Sequence, residues 1–166
     1  MAVRRAQAGD AAALGEIHVR TWQAAYEHVF GAERLAGMSA ERRTEQWRRW
    51  LAEGVDAWVF EDEDGEVVGF VWIGDSREAE DEGELFAIYV LPEAWGSGAA
   101  AGLMSAFKGW LADEGYTTAM LWVLADNPRA RRFYEREGWR AEGERIDTIR
   151  GVEVEEALYR LSLVGG

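Results

Sequence analysis

Seven consecutive apolar residues, Leu85 to Leu91, stand between an acidic stretch and Pro92. A run that short and unbroken reads as a strand buried on both faces, because a strand with one wet face alternates. Thr117–Leu124 has the same character. Two such strands demand a sheet covered on both sides, and the remaining segments supply the cover. Asp10 is placed to cap a helix running to about Tyr26, with Leu14, Ile17, Thr21, Trp22 and Ala25 as its apolar stripe. Ser39 caps a second helix carrying Trp47, Trp50 and Leu51, and Gly54 ends it. The stretch Val29–Met38 between them reads as a loop with one helical turn. Gly96–Glu114 and Pro128 to about Glu137 read as two further helices. Short strands are predicted around Val3–Gln7, at Ala57–Phe60 and Val67–Ile73 across a type I′ turn at Asp64-Gly65, and at Arg140–Ile149 and Val152–Leu163 across Arg150-Gly151. The order β-α-α-β-β-β-α-β-α-β-β predicts an α/β chain with a mixed sheet.

Composition removes several function classes. The 166 residues fit one domain spanning 1–166, with 18 Lys+Arg against 31 Asp+Glu and a net charge of −13. So acidic a chain is a poor binder of nucleic acid, whose phosphates need a basic face. There is no cysteine, which excludes a thiol nucleophile, a disulfide framework and cysteine-ligated zinc. His18 and His28, ten residues apart with no acids grouped around them, make no metal site. No apolar run reaches the length of a membrane span. Met1–Arg5 opens without the apolar stretch of a signal peptide, so a cytoplasmic protein is expected.

Chemistry concentrates in three consecutive features. The buried strand leads through Trp95 into Gly96-Ser97-Gly98-Ala99-Ala100 at a helix start. Glycines there permit tight turns, and the unpaired N–H groups with the helix dipole favour an anion such as a pyrophosphate. The same residues also suit close helix–sheet packing. The loop is neither a Walker A motif nor a dinucleotide fingerprint, since no Gly-Lys-Ser/Thr follows and position 101 is alanine. Next, Asn127 stands at a strand tip before Pro128, where it serves either as an N-cap or as an amide for an amide-bearing ligand. Third, Asn127, Ala130, Phe133, Tyr134, Gly138 and Trp139 combine a capped helix, an aromatic pair and a glycine stop followed by an aromatic residue.

These features together resemble the GNAT superfamily of acyl-CoA-dependent N-acetyltransferases. The family's loop Arg/Gln-x-x-Gly-x-Gly/Ala matches Trp95 to Ala100, and its second signature, Asn-x-x-Ala-x-x-Phe-Tyr-x-x-x-Gly-Phe, matches Asn127 to Trp139. The segments Thr21–Tyr26 and Glu45–Trp50 look like a large bacterial branch of the same family. The resemblance implies a centrally splayed sheet of about seven strands flanked by about four helices. It implies acetyl-CoA as co-substrate, with the pantetheine arm on main-chain groups of Ile88, Tyr89 and Val90. The pyrophosphate is expected on the amides of Trp95, Gly96, Ser97, Gly98, Ala99 and Ala100, with Asn127 on the pantetheine. Tyr134 is expected near the thioester sulfur as general acid. One position departs from the pattern: Trp95 stands where Arg or Gln is usual, so its backbone can serve but the usual side-chain contact is lost.

Direct transfer to a small amine or amino group needs a base, and Glu84 at the head of the strand is the first choice, with Tyr89 behind it. Glu84 reads equally as the end of a solvated acidic loop. Trp22, Tyr26, Trp72 and Trp122 are the aromatics expected toward the acceptor, although core filling is the plainer reading of any tryptophan here. Arg129, Arg131 and Arg132 either meet a ribose phosphate or form a solvated face. Dimerisation is common in the family, and no stripe in the sequence specifies it. The rival reading is an acyl-CoA-binding sensor or partner module without catalysis, toward which only Trp95 points.

Overall fold

The computed structural model describes residues 2–163. Seven strands form one sheet: β1 (Ala2–Arg5), β2 (Asp56–Glu61), β3 (Val67–Asp75), β4 (Gly83–Val90), β5 (Thr118–Leu124), β6 (Arg140–Ile149) and β7 (Val152–Ser162). Their order is β1-β2-β3-β4-β5-β7-β6. β4 and β5 are parallel, whereas β1 with β2, β2 with β3, β5 with β7 and β6 with β7 are antiparallel. The parallel ladder is short, matching Gly83 to Ala119 and Glu84 to Met120. By contrast β5 and β7 stay in register from Thr118↔Ser162 to Leu124↔Glu156. The helices are α1 (Ala11–Ala25), α2 (Glu27–Phe30), α3 (Ala32–Ala36), α4 (Ala40–Ala52), α5 (Ala99–Glu114) and α6 (Pro128–Arg136). Where a loop with one turn was expected, α2 and α3 are two short helices.

Two local expectations are corrected. Asp10 does not cap α1; its carboxylate takes two bonds from the Arg4 guanidinium (2.8 and 3.0 Å) and one from the Gln7 N–H (2.7 Å). A buried carboxylate gains more from a guanidinium than from one helix amide, and Arg4 holds it below the usual carboxylate range. The Asp64-Gly65 turn is not type I′, which needs positive φ at both central residues, because only Gly65 has it (80°). The Asp62 carboxylate instead gathers the N–H groups of Asp64 and Glu66 (2.9 and 3.0 Å), and the register slips at Phe60/Glu61. The positive-φ pair lies at Arg150 (50°) and Gly151 (77°), joining β6 to β7.

The chain packs into two units. Met1–Ile73 with Ala87–Phe107 makes the first, and Gly74–Phe86 with Lys108–Gly166 makes the second. In the first, α1 crosses α4 so closely that a Cβ on Gly15 would fall 2.4 Å from Thr44 Oγ1. Trp47 is fully buried there against Phe70 and Trp72, with ring centroids 5.1 and 5.4 Å away. Ser39 caps α4 as expected, accepting from the Arg42 N–H. In the second unit Tyr134, Trp139 and Tyr159 form a buried ring cluster. Among the described residues no helix is long and apolar enough to cross a membrane, and no group of three or more His, Asp or Glu gathers as metal ligands.

Candidate active site

In the first unit, β4 runs into the glycine loop. The Leu91 N–H donates to Val68 C=O (2.9 Å), and a Cβ on Gly69 would meet Tyr89 O at 3.1 Å. Alternate residues of a strand turn their main-chain groups to opposite edges, so Tyr89 and Leu91 face β3. Ile88 and Val90 therefore face the other edge. Of the three expected pantetheine contacts, Tyr89 is the one whose carbonyl lies against β3, close to Gly69.

Val90 also has a partner. The Trp95 indole N–H donates to Val90 C=O (2.8 Å), while its ring stays 40% exposed. The Trp95 amide donates to Pro92 C=O (3.1 Å), the Ser97 amide to Ala94 C=O (3.2 Å) and the Ala99 amide to Ser97 Oγ (3.3 Å). Gly96 and Gly98 differ. Both sit at positive φ (79° and 90°), and no acceptor among the described residues meets their N–H groups. Ala100 follows in the first turn of α5, where helix geometry leaves amides without an intrahelical partner. The expected run of six amides thus narrows to Gly96, Gly98 and Ala100, three donors at the positive end of a 16-residue helix.

The aromatics of this unit divide. Trp22 donates from its indole N–H to Tyr89 Oη (2.9 Å), with Tyr26 edge-on to it at 5.0 Å and Phe30 stacked at 5.3 Å. Tyr26 is buried, and burial holds the Tyr89 phenol above its usual pKa. Trp72 belongs elsewhere, stacked on Trp50 at 4.8 Å. The structure brings Trp22, Tyr26 and Tyr89 together and leaves Trp72 with α4. His18, 6% exposed, lies against Tyr89, Phe70 and Trp22, and burial pushes its pKa down to about 3. A ring so reluctant to hold a proton is a poor base toward an ammonium ion.

The second unit holds the other candidates. Glu84 is not a solvated loop residue: its side chain is 2% exposed. One oxygen accepts from the Arg77 guanidinium (2.7 Å) and the other from the Arg77 backbone N–H (3.2 Å). Sequence reading missed Arg77 entirely, since nothing in the acidic stretch signals which residue folds back onto the strand. Asn127 does cap α6, accepting from the Ala130 N–H (3.2 Å). Tyr134 is buried beside Phe133, with ring centroids 5.7 Å apart. Arg131 faces inward, donating to Tyr159 Oη and to Ala125 C=O (both 3.0 Å), so it is no ribose-phosphate ligand in this arrangement. Trp122 donates to Glu78 (3.2 Å) under the Arg145 guanidinium, 3.9 Å above its ring.

A mixed sheet feeding an amide-lined glycine loop is a framework that offers main-chain donors to an anion. The comparisons identify the family. Residues 13–139 match the model of the acetyltransferase (GNAT) family, and the chain belongs to that family. It is 30% identical over 128 residues to an uncharacterized N-acetyltransferase of Bacillus subtilis, covering 76% of this chain and 73% of that one. It is 32% identical over 139 residues to an uncharacterized N-acetyltransferase of Mycobacterium bovis, covering 82% and 86%. Among solved structures, the PaiA N-acetyltransferase of Thermoplasma acidophilum, in complex with coenzyme A, superposes with a TM-score of 0.74 at 18% identity. That alignment covers 97% of this chain and 98% of the other, and shows the shared fold. The protein is an acyltransferase of the N-acetyltransferase class.

Proposed function

We propose that this chain moves an acetyl group from acetyl-CoA directly to a primary amine, with residues 1–166 acting as one N-acetyltransferase domain in the cytoplasm. The observation that carries the donor is the pair of unpartnered amides at Gly96 and Gly98, followed by the start of α5. Those amides with Ala100 hold the pyrophosphate, and the main-chain groups of Ile88, Tyr89 and Val90, with Asn127, hold the pantetheine. The donor supplies an activated thioester. Around it Tyr134 gives a proton to the departing sulfur, and Glu84 removes one from the amine. The family resemblance supports these two roles, and the absence of cysteine agrees with transfer that needs no thiol-bound acyl enzyme.

The direct test is to mix protein, acetyl-CoA and a panel of amines and follow free thiol. Turnover on any amine supports the reading. Binding of acetyl-CoA without turnover overturns it in favour of a sensor module. Light scattering on the same sample reads the oligomeric state, for which the family resemblance favours a homodimer.

Two variants probe the parts. Trp95→Phe keeps a ring but deletes the donor to Val90 C=O, and coenzyme A binding measured by titration calorimetry should tighten about fivefold, the scale of one net hydrogen bond. Unchanged affinity would mean that the loop works through its backbone alone. Glu84→Gln is isosteric, and the base role predicts that the acidic limb of its kcat/KM profile disappears. If that limb persists unaltered, another group is the base.

A further inference from the structure

We propose that Arg131 is a positioning residue for the transfer step: through the buried hydroxyl of Tyr159 it fixes the helical turn that carries Tyr134. The inference rests on Tyr134 as the proton donor to the departing sulfur, and it goes beyond that reading by naming what holds the phenol in place.

Three elements of the second unit meet at one oxygen. The Arg131 Nε–H donates to Tyr159 Oη, and its Nη1 donates to Ala125 C=O (both 3.0 Å). Tyr159 Oη in turn donates to the Glu135 carboxylate (2.9 Å). Burial holds the Tyr159 phenol above its usual pKa, so it keeps the proton that it gives to Glu135. Arg131 and Glu135 stand one turn apart on α6, so two successive turns of one face grip the hydroxyl from β7. Ala125 lies one residue past β5, and its own N–H donates to Glu155 C=O of β7 (2.9 Å). The end of β5, β7 and α6 are thereby tied together by directional bonds.

Tyr134 falls between the two gripping residues in the chain, and its ring lies against the Tyr159 ring with centroids 6.1 Å apart. The helix does not fix that ring by itself. With nine residues, α6 is shorter than the roughly 12–15 at which an isolated helix becomes even marginally stable. Its outer side carries the exposed Arg129, Arg132 and Arg136, which leaves anchoring to the inner face. Proton transfer tolerates little slack, because donor and acceptor must come within about 2.6–3.2 Å. A misplacement of about 1 Å can cost about 100-fold in rate. Ring packing alone permits sliding; the bonds through Tyr159 Oη resist it.

The test is a double-mutant cycle. Tyr159→Phe deletes the hydroxyl and keeps the ring, while Arg131→Met deletes both donors and keeps most of the stem. Each should lower kcat about tenfold at saturating acetyl-CoA and amine. Tyr159→Phe should leave both KM values within twofold, because Asn127 at the head of α6 keeps its bond from the Ala130 N–H. In a Tyr134→Phe background the same changes should alter kcat less than twofold, since phenylalanine has no proton to place. A purely structural role lowers kcat by the same factor in both backgrounds and overturns the inference, as does wild-type kcat in Tyr159→Phe. Arg131→Met is the harsher change, and if it does not fold, the Tyr159→Phe cycle decides by itself. Failure of the acid reading is distinguishable: Tyr134→Phe alone then keeps the wild-type rate, and both ideas fall. A slow Tyr134→Phe beside an unaffected Tyr159→Phe overturns only the positioning role. Absence of turnover on every amine overturns both.

Discussion

Tyr134→Phe is expected to lower kcat by about two orders of magnitude with the amine KM and the thermal midpoint little changed. Proton transfer by a placed side chain contributes roughly 10²–10⁴-fold, and the lower end applies here. A thiol with an ordinary pKa of about 8.5 is already a tolerable leaving group near neutrality, so the acid is helpful rather than indispensable. The variant isolates the hydroxyl because the ring itself is buried among Phe133, Trp139 and Tyr159, and phenylalanine keeps that packing. Single-turnover measurement with saturating acetyl-CoA separates the chemical step from donor binding. A rate equal to wild type removes Tyr134 from the mechanism and returns its ring to the core of its unit.

The second large effect is on stability and comes from His18. Its pKa is about 3 in the folded chain against an ordinary 6.5. Between those values the unfolded chain binds a proton that the native chain refuses, so stability is full above about pH 6.5 and is lost as pH falls toward 3. For this one group the loss between pH 7 and pH 5 is about 2 kcal/mol. Replacing it by His18→Leu, among Trp22, Phe70 and Tyr89, should flatten urea-derived stability over that interval by the same amount. Parallel curves for the two proteins would mean that the ring takes up its proton in place. The Nδ1 atom, buried without a hydrogen-bond partner, supports the neutral form.

Local signals located most of the elements. Ser39, Asn127 and Pro128 start helices where their capping chemistry predicts, and Gly115 and Gly138 end them at positive φ. The errors arose where two local options compete. Asp10 was equally able to cap a helix or to pair, and the distant choice won because Arg4 lies across from it. At Asp64-Gly65 the dipeptide suggested one turn, but Asp62, two residues earlier, gathered the amides and set another. The candidate site divided the same way. The glycine loop and the Asn127–Trp139 signature were legible because chain-adjacent residues carry them. The approach of the Tyr89 carbonyl to β3, the Trp95 indole on Val90 and Arg77 on Glu84 were not, since each depends on which edge or side a group turns to.

By itself the sequence determined the order of the strands and of every helix but α2 and α3, the family, and the chemistry available: an anion-binding loop, a tyrosine, a carboxylate and no thiol. These follow from periodicity, capping and residue type, which are properties of neighbours in the chain. Only the tertiary structure decided which amides of the loop remain open, that His18 is a core residue, and that Glu84 is buried beneath Arg77 rather than solvated. Burial and pairing are set by whatever the fold brings alongside, and a carboxylate's role depends on them more than on its place in the chain. The seven apolar residues from Leu85 predict a buried strand; they do not say what seals the acid at its head.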